Sequence, residues 1–345
     1  MDKSVSTQQA TVFCGIDVSA QSLAVALIGP EGALGQREFH NSASGHQRLV
    51  DWLGKFGILV RVSLEATGIY SLDLALALDA APGIELAVLN PKLVNRFAET
   101  LRRSKTDAAD ALVLASYSQR MPFVRWQRPQ AKHLELRTLS RSIGGLVQEQ
   151  AALKNRLKTA QSTATTPRLV LADLKRALSG VERRVSRLRA EAQKLILADD
   201  QLRQRYQLLI RVPGTAQVGG VSILSELLLL APEMGARQWV ASSGLDPAHR
   251  QSGTSVNKPS RISRAGNRHL RAALYRAALS AARCDRHLSG FYQALQRRHK
   301  TGMQALMAVA RKRLHAIYGI FKTATPYDGK KLFPSMQIEK SALAA

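Results

Sequence analysis

Residues 12–28, VFCGIDVSAQSLAVALI, contain the clearest structural pattern in the first third of the chain. Two apolar runs flank a short polar break, and this arrangement predicts two neighbouring antiparallel strands. The turn GPEG at residues 29–32 and a third short strand near residues 34–39 would complete a three-stranded meander. Asp17 lies at the end of the first run, where an acid would be costly if it were buried without a partner.

Helices and strands alternate beyond the meander. The sequence predicts a helix with Ser44 as its N-cap, then a strand that ends at Glu65. It next predicts a helix over residues 68–80, a strand that ends at Asn90, and a helix that begins at Pro91. Three strands followed by alternating helix and strand is the element order of an RNase H-like α/β sheet. Catalytic groups gather at the strand ends of α/β sheets.

The middle of the chain, residues 126–202, has the pattern of long helices. Apolar side chains recur at steps of three and four over residues 139–157 and, more regularly, over residues 171–195. The segment TATTP, residues 163–167, separates the two runs. This heptad seam fits an oligomerisation arm and an intramolecular helical hairpin equally well, and both can hold together.

A third, mostly helical unit is predicted for residues 203–330, followed by a frayed tail at residues 331–345. It begins with LLIRVPGTAQVGGVSILSEL, in which a Pro-Gly turn joins two helices. Such a pair is similar to a helix-hairpin-helix, whose backbone amides contact DNA phosphate. An ordinary glycine-rich helix connection is the alternative.

The positive charge of the chain lies outside its first third. The net charge is +25, yet residues 1–120 contain 11 Lys and Arg against 12 Asp and Glu, which leaves 39 against 13 for the rest. Self-repulsion disfavours so one-sided a surplus unless a polyanion offsets it, so we expect a nucleic-acid partner. Cys14 and Cys284 provide neither a disulfide framework nor a zinc spacing. No apolar run is long enough to cross a bilayer, and no membrane partner is expected.

Four carboxylates in the first third are candidates for a shared site. Asp107 and Asp110 are three residues apart and share one face of a helix for which Thr106 would be the N-cap. Alone, this pair favours a solvated helix start, because acids are common in first helical turns. Asp17 and Glu65 end strands of the same predicted sheet, and four oxygen donors at one edge favour a Mg²⁺ site.

A second candidate site lies in HRQSGTSVNKPSRISRAGNRH, residues 249–269. Ser252, Thr254 and Ser255 are hydroxyl residues in a glycine-broken, arginine-rich loop. A serine attacks phosphorus only if its oxygen is activated and the developing charge is stabilised, and nearby cations do the latter. Residue types alone favour a phosphate-binding loop over a nucleophile.

Seven segments of the chain form a further, ordered pattern. They are GIDVSAQSLAVAL, LEATGIY, NPKLVNRFA, KTDAADALVLA, VPGTAQVGG, GLDPAHRQSGTSV and SRAGNRHLRAALY. Taken in order, they resemble the DEDD transposases of bacterial insertion sequences, a family that includes the Piv-type DNA invertases and the bridge-RNA-guided recombinases. Each is weakly specific by itself, but seven in this order, within residues 12 to about 325, are specific.

The resemblance implies a fold in three parts. Residues 1–125 would form an α/β RNase H-like (RuvC-like) domain that carries the acids. Residues 126–202 would form an α-helical coiled coil, and residues 203–330 a mostly α-helical C-terminal transposase domain with the serine loop.

The resemblance also implies which residues act. The acidic tetrad of the family, which holds Mg²⁺ and is catalytic, falls on Asp17, Glu65, Asp107 and Asp110. Its serine nucleophile falls on Ser252, and that role does not extend to Thr254 or Ser255. Where the family commonly has an aromatic residue and an acid before the serine, this chain has Arg250 and Gln251.

The reaction implied is Mg²⁺-assisted DNA strand cleavage and exchange through a covalent serine–DNA intermediate. The partners implied are double-stranded DNA of the element ends and target, a non-coding bridge RNA, and further copies of the chain. Those copies would form a dimer, and a tetramer in the synaptic complex, with the serine and the acids of one site drawn from different protomers. The expected location is the bacterial cytoplasm, at the nucleoid.

Two other hypotheses stay open from the residues. A RuvC-like, metal-dependent junction resolvase or nuclease would hydrolyse DNA with water and would not need Ser252. A non-enzymatic architectural nucleic-acid-binding protein would use its acids only structurally. The seven ordered segments disfavour the architectural protein, and only the loop around Ser252 separates the two enzymes.

Overall fold

The computed structural model describes residues 11–66, 70–101, 106–252 and 256–332, without the side chains of residues 249–259. The chain divides into two compact units, Met1–Arg128 and Pro129–Ala345. The finer division into three domains and a tail stays a prediction. In the part of the chain that is described, no helix has both the length and the apolar character that a membrane crossing requires.

The first unit contains a five-stranded mixed sheet. Its strands, in chain order, are β1 Val12–Val18, β2 Ser22–Gly29, β3 Gly32–His40, β4 Val60–Glu65 and β5 Ile84–Leu89. The order across the sheet is β3-β2-β1-β4-β5, with β2 antiparallel to both β1 and β3. β4 runs parallel to β1 and to β5. The predicted meander and the α/β character of this unit are therefore confirmed.

Four helices accompany the sheet: α1 Ala43–Gly54, α2 Leu72–Ala80, α3 Pro91–Ala98 and α4 Asp107–Arg120. Asn90 and Thr106 cap α3 and α4 with their side chains, as predicted for Thr106. The N-cap predicted at Ser44 is wrong. Ser42 caps α1 instead, because its extended backbone lets its hydroxyl accept a hydrogen bond from the Gly45 amide at 3.3 Å.

The contact between α4 and β1 is exceptionally close. A Cβ atom placed on Gly15 of β1 would lie 2.0 Å from the carbonyl oxygen of Ala111 and 2.2 Å from the amide nitrogen of Ala115. Only a residue without a side chain lets the helix backbone approach the strand this closely. Next to it, Cys14 is fully buried in the sheet core, and burial raises the pKa of its thiol.

The two edges of the sheet differ. β3 is exposed along almost its whole length. β5, at the opposite edge, is covered in part by the segment after α4, where the Trp126 amide donates to the Leu86 carbonyl at 2.6 Å. The Trp126 side chain packs against the sheet core.

The second unit begins with two long helices, α5 Ala131–Gln161 and α6 Arg168–Leu197, which fold back on each other and are called the helical arm below. Their shared seam buries Leu146, Leu153, Val181 and Val185, and the turn lies at residues 162–167. The heptad pattern thus packs at least within one chain, as an intramolecular hairpin. Pairing of arms between copies of the chain stays a prediction.

The rest of the second unit is mostly helical, as predicted. Its elements are α7 Asp200–Ile210, α8 Gln217–Leu227, α9 Ala236–Ser243, β6 Pro247–Ser252, β7 Val256–Ile262, α10 Arg268–Cys284, α11 Arg286–Arg297, α12 Gly302–Thr323 and α13 Gly329–Leu332. The pair β6 and β7 is antiparallel and stands where the sequence predicted an irregular loop. The strands went unrecognised because HRQS and VNKPS lack the apolar alternation that marks a half-buried strand.

A buried arginine anchors the turn between α7 and α8. Arg313 of α12 is fully buried, and its guanidinium donates to the Pro213 carbonyl and to the Thr215 hydroxyl. Gly214, between them, has a φ of 77°, and a Cβ there would lie 2.6 Å from the Ala281 amide nitrogen. Burial lowers the pKa of Arg313 to about 10, because loss of hydration disfavours the charged guanidinium. The Pro-Gly turn is therefore held by contacts from α10 and α12.

Replacing Gly15 with alanine should destabilise the first unit. The added methyl would meet backbone atoms of α4, which cannot rotate away as a side chain can, so the helix has to shift. Overpacking of this kind costs about 2 kcal/mol or more in the free energy of unfolding. Urea denaturation followed by tryptophan fluorescence reports on this unit through Trp52 and Trp126.

Gly54→Ala is the matched control for that measurement. Gly54 ends α1, and a Cβ there meets no atom within 4 Å, so alanine should be neutral or stabilise by up to about 1 kcal/mol. A Gly15→Ala protein that unfolds at the urea concentration of the unsubstituted chain would contradict the close contact.

Candidate metal centre and serine hairpin

Three of the four predicted acids lie together in the first unit. Asp17 of β1 and Asp107 and Asp110 of α4 each place a carboxylate oxygen within 4.8 Å of the other two. Asp107 is exposed, whereas Asp17 and Asp110 are partly buried. The group is therefore open to solvent on one side and backed by protein on the other.

Local structure explains why these acids meet. Thr106 caps α4 by accepting from the Ala109 amide at 3.3 Å, which places Asp107 and Asp110 in the first helical turn. The partial positive charge of a helix N-terminus stabilises acids there. Asp17 follows Gly15 by two residues along β1, so the close approach of α4 to the strand also brings the helix start to Asp17.

Glu65 is the remaining predicted member of the tetrad. Glu65 ends β4, which runs parallel to β1, and Leu64 of β4 lies opposite Ile16 of β1. Glu65 and Asp17 are the next residues along these two strands, so both belong to the same end of the sheet. Its carboxylate is not part of the group of three whose oxygens lie within 4.8 Å. The structure thus brings three of the acids together, and Glu65 as a fourth ligand stays a prediction.

The donor set suits a hard divalent cation. All three groups offer carboxylate oxygen, the ligand that Mg²⁺ and Ca²⁺ prefer, and no histidine or cysteine among the described residues belongs to the group. Three carboxylates this close repel one another, and a bound cation would relieve that repulsion. The arrangement can therefore hold a metal ion.

The predicted serine lies in the second unit, on the β-hairpin that β6 and β7 form, called the serine hairpin below. Pro247 pairs with Ile262 at its base, and Ser252 pairs with Val256 at its far end. Ser252 is the last residue of β6, and only its main chain is described. Thr254 and Ser255 lie outside the described residues.

A buried polar network borders the serine hairpin. Glu226 of α8 accepts two hydrogen bonds from the Arg141 guanidinium of α5, at 2.8 and 3.0 Å, and one from the Asn267 amide at 2.6 Å. Burial alone would raise the pKa of Glu226, but these hydrogen bonds and the nearby cations hold it below its ordinary value. Burial and the charge of Arg141 lower the pKa of His269 beside it.

Glu226, Arg141 and Asn267 are functional candidates that the sequence did not predict. Glu226 is separated from Arg141 by 85 residues and from Asn267 by 41, so no spacing rule connects them. The only local signal was a single acid, Glu226, within the apolar stretch VSILSELLLL. A charged residue on a buried helix face requires a partner elsewhere in the fold.

Two family models match the chain. The first, a transposase of the DEDD type named for IS110, matches residues 14–162 and so includes all four acids. The second, described as the transposase IS116/IS110/IS902 family, matches residues 206–293 and includes the serine hairpin. Together the two matches cover more than half of the chain. The first match covers most of the first unit and continues through α5, whereas the second lies wholly within the second unit.

Curated relatives agree with these matches. The pilin gene-inverting proteins of Moraxella bovis and Moraxella lacunata are each 25% identical to the chain over 326 residues, which is 92% of this chain and 97% of theirs. An uncharacterized 43.6 kDa protein of insertion element IS110 from Streptomyces coelicolor is 31% identical over 88 residues, 26% of this chain and 22% of its own.

The matched segments carry the clustered acids and the serine hairpin. The chain belongs to the IS110-type family of DEDD transposases, a class of DNA transposases and recombinases.

Proposed function

We propose that this enzyme cleaves and exchanges DNA strands through a covalent bond to Ser252, with Mg²⁺ held by the clustered acids. The observation that carries the proposal is the group formed by Asp17, Asp107 and Asp110, whose oxygens lie within 4.8 Å of one another. A carboxylate cluster of this kind in a DNA transposase family supports metal-assisted phosphodiester chemistry.

The acids would act as the metal-binding group. Asp17, Asp107 and Asp110 would supply oxygen ligands, and Glu65 at the end of β4 is the proposed fourth. A bound Mg²⁺ neutralises charge on a phosphate and favours nucleophilic displacement at phosphorus. Partial burial of Asp17 and Asp110 would fix the position of two ligands, while the exposure of Asp107 leaves room for a phosphate.

Ser252 would act as the nucleophile. Its oxygen would form a bond to phosphorus while the bond from phosphorus to one deoxyribose oxygen breaks. The proton of the serine hydroxyl would end on that leaving oxygen, so that the strand has a free hydroxyl and the protein a phosphodiester. In the second step, a hydroxyl of another strand would attack the same phosphorus, the bond from phosphorus to the serine oxygen would break, and the serine would regain its proton. The covalent intermediate thus conserves the energy of the phosphodiester bond for rejoining.

The sheet order supports an RNase H-like assignment of the first unit. A meander of β1 to β3 followed by two parallel strands, with acids at the ends of β1 and β4 and at the start of α4, is the arrangement expected for that fold. The helical arm is the proposed coiled coil, and pairing between arms would assemble dimers and the tetramer of the synapse.

The partners proposed are DNA and a guide RNA. The surplus of basic residues beyond residue 120 favours polyanions, and bridge-RNA guidance follows from the resemblance of the seven segments. The names of the two Moraxella relatives state that they invert a pilin gene, which makes inversion one candidate outcome for this chain. Action in the bacterial cytoplasm, at the nucleoid, stays a prediction.

Hydrolysis of DNA junctions is the second candidate function, because the clustered acids serve a water nucleophile equally well. Family membership disfavours the architectural hypothesis. The covalent and hydrolytic hypotheses differ in whether a protein–DNA bond forms, and the experiment on Ser252 below separates them.

Mg²⁺ should stabilise the chain through the acids. A ligand that binds only the folded state at 100 times its Kd raises the free energy of unfolding by about 2.7 kcal/mol. We expect titration with Mg²⁺ to raise the melting temperature, and Asp17→Asn and Asp107→Asn to abolish most of that rise. Asp51→Asn, an exposed acid of α1 outside the group, should respond as the unsubstituted chain does. Equal responses in all four proteins would contradict the metal site.

Ser252→Ala should abolish covalent capture of DNA. The assay would combine the full chain, Mg²⁺, end-labelled DNA of the encoding element, and RNA transcribed from the element's non-coding flank. Denaturing gels would then show a protein–DNA adduct that falls at least about 1000-fold in Ser252→Ala and in Asp17→Ala. Ser260→Ala, the same change on the neighbouring strand β7, should keep the adduct. Free nicked DNA that persists in Ser252→Ala would instead establish the hydrolytic enzyme.

A further inference from the structure

We propose that Glu226 is a positioning residue that couples the helical arm to the serine hairpin. The inference rests on the proposed function, in which Ser252 is the nucleophile that has to be positioned. Its physical basis is a continuous path of hydrogen bonds from α5, through α8, to the segment that joins β7 to α10.

The first step of the path joins the arm to α8. The Glu226 side chain is only 2% exposed, and both of its oxygens accept from Arg141, in a two-point contact with the guanidinium. Such paired, charge-assisted hydrogen bonds fix direction as well as distance. A rotation or slide of α5 relative to α8 would break them and leave a carboxylate buried without its cation.

The second step joins α8 to the start of α10. Asn267 donates to Glu226 through its amide nitrogen, while its amide oxygen accepts from the His269 and Leu270 backbone amides at 2.9 and 3.1 Å. Both polar groups of the Asn267 side chain are therefore hydrogen-bonded, the amide nitrogen to α8 and the amide oxygen to the N-terminus of α10. Its orientation is set by the pair of contacts.

The third step joins Asn267 to the base of the serine hairpin. The Asn267 backbone amide donates to the Ser242 carbonyl at 2.7 Å, and the Ser263 amide donates to the Asp246 carbonyl at 2.8 Å. The Ser263 hydroxyl also donates to the Asp246 carboxylate at 2.5 Å. Gly266, directly before Asn267, has a φ of 152°, and a Cβ atom there would lie 2.3 Å from the Ser242 carbonyl oxygen.

These contacts frame both strands of the hairpin at their base. Asp246 immediately precedes β6, and Ser263 immediately follows β7. A displacement of Asn267 would therefore be transmitted to the first residue pair, Pro247 with Ile262, and from there along the ladder to Ser252. A misplacement of about 1 Å at a nucleophile can lower a rate about 100-fold.

The chemistry of the network favours positioning over simple stabilisation. An apolar side chain at position 226 would pack among the surrounding helices without the desolvation cost of a carboxylate. Buried ion pairs in general contribute little to the free energy of unfolding. What the carboxylate adds is orientation, because it binds one group on the arm and one group at the hairpin base at the same time. The arm and the hairpin are thereby linked in geometry.

The test uses two substitutions in the full chain. Glu226→Gln removes the charge that pairs with Arg141. Asn267→Ser keeps an N-cap side chain for α10 but removes the amide donor to Glu226, so it remains informative if Glu226→Gln fails to fold. Glu182→Gln, in the exposed arm pair with Lys154, is the matched control.

Two readouts apply to each protein: hydrogen exchange of the amides in β6 and β7, and the rate of covalent capture of labelled element DNA. We expect both substitutions to speed exchange in the serine hairpin selectively and to slow capture about tenfold or more, with DNA binding unchanged within about twofold. The control should match the unsubstituted chain in both.

Unchanged hairpin exchange in Asn267→Ser and Glu226→Gln would overturn the proposal, as would faster exchange spread evenly over the whole second unit. Hydrogen exchange needs no DNA chemistry, so it separates this inference from the proposed function. Selective exchange in a chain that never captures DNA would support the coupling and refute the serine mechanism.

Discussion

The backbone contact between α4 and β1 is the constraint on which the candidate metal centre depends. At Gly15 the helix lies directly against the strand, and no residue with a side chain fits there. That contact determines how close α4 lies to the sheet, and so how close its first turn lies to Asp17. Three acids held together repel one another, and burial of Ala111, Leu114 and Ala115 against the sheet contributes to offsetting that cost. The site is thus built by two regular elements and needs no special loop.

Most of the first unit could be predicted because its signals are local. Apolar runs of strand length, the Asn90-Pro91 helix start and the Thr106 cap each depend on a few neighbouring residues. The helix start near residue 43 was misplaced because Ser42 and Ser44 are both good capping residues, and only the backbone angles decide between them. The sequence also predicted that Glu65 joins the other acids, and this stays a prediction, since side-chain direction at a strand end depends on the twist of the sheet.

In the second unit, mainly the features that follow a repeating sequence pattern could be predicted. The heptad spacing predicted the helical arm and its turn, although a seam of this kind serves contacts within and between chains alike. The serine hairpin was missed because its strands are polar and are specified by backbone pairing. Arg313 and Glu226 could not be paired with their partners in advance, because each reaches across 41 to 100 residues of chain.

The exposed edge strand β3 has a consequence for aggregation of the first unit. An exposed edge strand offers unpaired backbone groups to any other strand, and such edges promote aggregation. Here the ladder from β2 to β3 shifts register between Leu27 and Ile28, and Arg37 and Glu38 place charges of both signs along the strand. An irregular, charged edge is a poor template for sheet extension. The edge strand β3 is therefore a poor surface for fibre-like stacking of the first unit.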